Sequence, residues 1–178
     1  KKEILIRESE NYKLYQSPRH SIIMSLIERE DFKNDPAWIK DVLRFKTTQR
    51  EISQTIERLL TLGLLEEKDG KLKKKHKAIQ NKIDTPSKAV QEFHKKMSLL
   101  ASEEVSKQDV TQREFNSYCF NIKKNQLKKA KKKLREFTQE FISEFEANTK
   151  KSNDTYHLNV QLFSLTKKEL TENKGENA

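Results

Sequence analysis

The stretch QREISQTIERLLTLGLLEEKDGKLKKK, from Gln49 to Lys75, admits few folds. Its apolar residues Ile52, Ile56, Leu59 and Leu60 recur at helical spacing, and Thr48 stands three positions before Glu51, the spacing of a capping box. Gly63 then offers the left-handed residue that ends a helix. Farther on, Asp69-Gly70 supplies the positive φ of a tight hairpin, so Leu64 and Leu65 open one strand and the lysine run around Leu72 forms the returning one. The local pattern is a helix followed at once by a basic two-stranded ribbon.

Two amphipathic segments precede it. Ile22, Ile23, Leu26 and Ile27 share one helical face after Pro18, with Ser17 as a cap. Asp35-Pro36 reads as an N-cap with proline at the first helical position, and Trp38, Ile39, Val42 and Leu43 supply the buried face of a short second helix. Three helices and a hairpin in this order are the layout of a winged helix-turn-helix, in which the third helix enters the DNA major groove and the hairpin touches the backbone beside it. With Ile52, Ile56, Leu59 and Leu60 turned inward, the helical period places Gln49, Arg50, Ser53, Gln54 and Glu57 on the opposite face. Arginine pairs with the guanine edge and glutamine with adenine, so Gln49, Arg50, Ser53 and Gln54 are the expected base-reading residues. Lys71, Lys73, Lys74, Lys75 and Lys77 are the expected phosphate contacts of the wing. Glu51 and Glu57 lie on or near the reading face and would repel phosphates. The alternative is a protein-protein interaction module, in which the same winged helix docks a protein partner without direct DNA binding.

Beyond a linker at KAIQNKIDTPS, Thr85-Pro86 launches a helix with Val90, Phe93, Met97, Leu100 and Val105 as its apolar positions. REFNSYCFNI reads as a strand, rich in aromatic residues and alternating Phe115, Ser117 and Cys119 with Asn116, Tyr118 and Phe120. A helix of about 39 Å follows from Lys123 to Asn148, with Leu127, Ala130, Leu134, Phe137, Phe141 and Phe145 on one stripe. TYHLNVQLFSLT alternates Tyr156, Leu158, Val160 and Leu162 against polar partners, a half-buried strand. The expected fold class is thus α+β: an N-terminal extension over 1–16, a winged helix-turn-helix over 17–80, a helix-strand-helix-strand unit for dimerisation or sensing over 86–167, and a disordered tail over 168–178. Exposed strand edges predict a homodimer whose pairing covers Tyr118, Phe120 or Leu162.

Composition narrows the partners. A formal net charge of +10 favours a polyanion, here double-stranded DNA, and a hydrophobic share of 33% suits two modest cores better than one large one. KKNQLKKAKKKLR is either a solvated helix surface or a second nucleic-acid contact, with RNA binding as a third option. The acidic half that follows it speaks against a membrane-surface helix, and no run of about 18 apolar residues occurs, so no membrane partner is expected. The single cysteine, Cys119, is expected to be a buried structural thiol in a reducing, cytoplasmic setting. His20, His76, His94 and His157 are scattered without metal-ligand spacing, and the glycines at 63, 70 and 175 are too sparse for a phosphate-cradling loop. The reading is therefore of a protein that is not an enzyme, with no cofactor or metal; His20 and His94 read as packing or capping residues.

The phrases RHSIIMSLIEREDFKNDPAWIKDVL, TIERLLTLGLLEEKDGKL, TPSKAVQEFHKKM and YHLNVQLFSLTK, over roughly residues 12 to 167, resemble an uncharacterised paralogous family of bacterial winged-helix proteins. That family, a domain of unknown function expanded in predatory and fibre-degrading bacteria, is matched at His20, Asp35-Pro36-Trp38, Leu62-Gly63-Leu64, Asp69-Gly70, Phe93-His94 and Asn159-Gln161-Leu162-Phe163. The resemblance implies a transcriptional regulator. It also implies an additional N-terminal helical domain that this chain lacks, which would make the chain the C-terminal part of a longer protein.

Overall fold

In the computed structural model, which describes residues 17–75, 87–146 and 152–167, the chain is α+β, with five α-helices and one two-stranded antiparallel sheet among the described residues. Helix α1 spans Arg19–Leu26, and the Ser17 hydroxyl accepts from the Arg19 N–H at 3.3 Å, satisfying a donor that has no intrahelical partner. Helix α2, Pro36–Val42, begins as its sequence requires. Asp35 is extended, its carboxylate accepts from the Ala37 N–H at 2.9 Å, and Pro36 fills a position where no donor is needed. Helix α3, Gln49–Thr61, carries the full capping box: the Glu51 N–H donates to Thr48 Oγ1 at 3.2 Å and the Thr48 N–H to the Glu51 carboxylate at 2.9 Å.

Gly63, at φ +65°, turns the chain out of α3, and the Leu64 N–H bonds back to the Leu59 carbonyl at 3.0 Å. Strands β1, Leu65–Lys68, and β2, Lys71–Lys74, then pair with Leu65 opposite Lys74 and Lys68 opposite Lys71. Asp69 and Gly70 both have positive φ, 56° and 69°, the turn whose twist matches that of the flanking strands. One hydrophobic core joins these elements. Ile23 and Leu26 from α1, Ile39 from α2, Ile52, Ile56 and Leu59 from α3, and Leu64, Leu65 and Leu72 from the hairpin region are buried together. Phe32 and Trp38 meet edge to face at 5.8 Å on its margin.

The second half departs from expectation. Helix α4, Lys88–Lys107, is capped by Ser87, and helix α5 spans Leu127–Glu146. Lys124–Gln126 form a 3-10 turn, so the last helix starts later than its charge pattern suggests. Val105 faces outward rather than into a core. Neither REFNSYCFNI nor TYHLNVQLFSLT forms a strand: the backbone there pairs in no ladder, and the helix-strand-helix-strand unit is corrected to two helices with irregular segments after each. The physical reason lies in connectivity. Two strands joined through one helix would pair in parallel, an arrangement that needs both sheet faces covered, whereas Ser117 and Asn121 in the first run and Asn159 and Gln161 in the second keep one face of each run polar. Cys119, expected to be buried, is exposed on this unpaired segment.

The two-core expectation is corrected with it. Among the described residues after position 87, only Ala89, Met97 and Glu104 are buried, and α5 buries none. Polar contacts tie α4 and the last segment to the first half. Glu104 accepts from Gln108 Nε2 at 2.8 Å and lies 3.8 Å from the Arg44 guanidinium, while the Glu30 N–H donates to the Ser152 carbonyl at 3.0 Å. Gln161 Nε2 donates to Ser98 Oγ at 2.7 Å, bringing the final segment onto α4. Tyr12, Leu14, Tyr15, Lys77, Thr85-Pro86 and the tail over 168–178 lie outside the described residues.

The location of the core sets a measurable contrast. Ile52→Ala should lower the unfolding free energy in urea by about 2–5 kcal/mol, because it opens a cavity in the packed core of residues 17–75. Cys119→Ser should change it by less than about 0.5 kcal/mol, because the exposed thiol fills no packed space.

Candidate nucleic-acid interface

The burial of Ile52, Thr55, Ile56 and Leu59 fixes the rotation of α3. Gln49, Arg50, Ser53, Gln54 and Glu57 are exposed as a result, so the four residues expected to read bases stand together on one solvent face. Arg50 and Gln54 occupy one ridge, and Arg58 continues it at the next step of four; it too is exposed. Arg58 escaped the sequence reading although the same spacing pointed to it. Its side chain and that of Arg50 make no ion pair among the described residues.

Glu51 behaves differently from expectation. Its carboxylate accepts from the Thr48 N–H at 2.9 Å, from the Thr48 hydroxyl at 3.1 Å and from the Thr47 hydroxyl at 3.3 Å, and it lies 3.1 Å from the Arg19 guanidinium. These contacts, led by the Thr48 backbone hydrogen bond, hold its carboxyl below the ordinary glutamate range. The charge is therefore directed at the helix start and at Arg19, and the expected repulsion of phosphates falls to Glu57 alone. Arg19 could not be found from the periodicity of α3, since it reaches the site from another helix.

Ser17, Arg19, His20, Gln54, Thr55 and Arg58 line a shallow cavity of about 310 Å³ beside this ridge. His20 is buried, with Nδ1 3.3 Å from the Ser17 carbonyl, in keeping with a packing and capping role. Burial pushes its pKa below the ordinary histidine value; the Ser17 carbonyl opposes the shift, and the charges of Arg58 and Arg19 add to it.

On the hairpin, the period of two separates the lysines. Lys71, Lys73 and Lys75 are exposed, whereas Lys74 lies on the face of buried Leu72 and its Nζ pairs with the Glu28 carboxylate. Lys74, one of the expected phosphate contacts, is thus engaged within the chain. Lys73 stands opposite Glu66 in the register, with Nζ 3.9 Å from the Asp69 carboxylate, so its charge is partly offset. Lys71 and Lys75 make no ion pair among the described residues, and Lys77 lies outside them.

A family model described as Domain of unknown function (DUF4423) matches residues 2–165. No curated protein and no solved structure matches the chain. Among the described residues no helix is long and apolar enough to cross a membrane.

The buried histidine generates a pH dependence with a definite sign. Its folded pKa is depressed, so below the unfolded value of about 6.5 the unfolded chain takes up a proton that the folded chain does not. Stability contributed by neutral His20 is present above that pH and is lost as pH falls toward the folded pKa. Urea unfolding at pH about 7.5 and about 5.5 should show a larger loss for the wild type than for His20→Gln, which has no titrating ring. Equal losses in the two proteins would remove His20 as the source.

Proposed function

The chain belongs to the DUF4423 family, a domain of unknown function, and we propose that its residues 17–75 act as a winged helix-turn-helix that binds double-stranded DNA in a transcriptional regulator. The observation that carries this reading is the ridge Arg50, Gln54 and Arg58 on α3. Its side chains project into solvent from a helix whose opposite face is locked into the core, and Glu51 beside them is occupied by Thr48 and Arg19. Such a ridge suits the major groove, where arginine and glutamine each offer paired hydrogen bonds to a purine edge. Lys71, Lys73 and Lys75 on the hairpin suit phosphates, which set register without reading sequence.

The reading of α3 as a protein-docking surface draws on one observation, the exposed carboxylate of Glu57 on the same face. Both readings concern one surface, so one set of variants separates them.

Selection of bound fragments from mixed genomic DNA should enrich a defined site. Arg50→Ala should weaken that site by about 1–3 kcal/mol and relax the preference at one base position, with non-specific affinity little changed. A selected site bound equally well by the wild type and by the Arg50→Ala, Gln54→Ala variant would count against α3 as the reader. The hairpin makes a separate forecast. Replacing Lys71, Lys73 and Lys75 together by alanine should flatten the salt dependence by up to about 0.9 in log–log slope for each phosphate released. Lys74→Ala should leave that slope unchanged and appear instead as a small loss of stability, because its partner is Glu28.

A further inference from the structure

Every exposed large apolar side chain among the described residues falls between Leu99 and Leu165; residues 17–75 have none. The concentration is densest on α5. Phe137, Phe141 and Phe145 follow one another along a ridge, with ring centroids 5.9 and 4.7 Å apart, yet they are 55%, 37% and 61% exposed. Leu127 extends the ridge toward the start of the helix and is 43% exposed. At 100° per residue these four side chains and Leu134 occupy a stripe about 80° wide over a helix about 30 Å long. A contiguous apolar strip of that length on a chain this charged calls for a cover.

We infer that a second copy of this chain supplies the cover, packed antiparallel on the α5 stripe about a two-fold axis near the middle of the helix. The charges of α5 select that occupant. Residues 127–135 carry six basic and no acidic side chains, and residues 136–146 carry four acidic and no basic ones. A parallel copy would set like against like. An antiparallel copy sets the basic half of each helix against the acidic half of the other.

The match extends to individual positions. Lys129, Lys133, Glu140 and Glu144 follow one another at steps of 4, 7 and 4, which places all of them along the same edge of the stripe. A two-fold axis perpendicular to the helix keeps that edge facing its own copy while reversing direction, as an isologous interface demands. Centred between Glu136 and Phe137, it sets Lys129 opposite the partner's Glu144 and Lys133 opposite the partner's Glu140, each pair occurring twice. None of these side chains makes an ion pair within the chain among the described residues. The irregular segments over 113–123 and 152–163, which form no sheet edge, are not needed for this interface.

The mass of the full chain in solution, read by light scattering or sedimentation, tests the inference. The wild type should sediment as a dimer at micromolar concentrations. Glu140→Lys with Glu144→Lys makes the whole edge basic, and Lys129→Glu with Lys133→Glu makes it acidic. Each variant alone should fall to the chain mass while keeping its far-ultraviolet helix signal, and an equimolar mixture of the two should regain dimer mass. The mixture guards against misfolding, since a damaged helix would not be rescued by an oppositely charged one. A monomeric wild type would overturn the inference, and so would charge variants that stay dimeric or a mixture that stays monomeric. Loss of DNA binding by Arg50→Ala bears on a different helix, so this inference and the proposed function can fail independently.

Discussion

The inward face of α3 is the contact on which the rest of the molecule depends. Ile52 and Leu59 are fully buried in the hydrophobic core of the described residues, and α3 packs against the first two helices and strand β1. A helix held this way has one rotational setting, because turning it by a single residue would swing Glu51 or Ser53 into the core and lift Ile52 out. The same constraint that stabilises the domain therefore aims Arg50, Gln54 and Arg58 outward. Packing and presentation are two faces of one helix.

Polar contacts at the start of α3 complete that arrangement. Glu51 closes the capping box with Thr48 and also takes the Arg19 guanidinium from the neighbouring helix. A glutamate at the third helical position favours the helix dipole and satisfies an otherwise unpaired donor, so it is a structural residue first. Its engagement has an electrostatic consequence: the proposed reading face carries less negative potential than a count of side chains implies. Lys74 shows the reverse case on the hairpin, where a lysine that adds to the basic count is tied to Glu28 instead.

After residue 87 the balance differs. Helices α4 and α5 are well formed at the level of backbone hydrogen bonds, yet they bury little against each other or against the first half. Long helices with strong apolar stripes ordinarily derive their stability from packing rather than propensity. The aromatic ridge of α5 is thus a surface whose energetics the isolated chain leaves incomplete, and the opposed charges of its two halves give that surface a sense of direction.

The sequence by itself determined everything that depends on neighbours within a few residues. The caps at Asp35 and Thr48, the left-handed exit at Gly63, the Asp69-Gly70 turn and the rotation of α3 were legible because each is set by local backbone geometry and the 3.6-residue period. Base-reading candidates on α3 came with that rotation. The tertiary structure decided what required a second element. It placed Arg19 against Glu51 and Lys74 against Glu28, since pairs between distant segments leave no periodic trace. It also decided the fate of REFNSYCFNI and TYHLNVQLFSLT: alternation marks a segment able to become a strand, but a strand exists only when another backbone meets its donors and acceptors, and among the described residues none does.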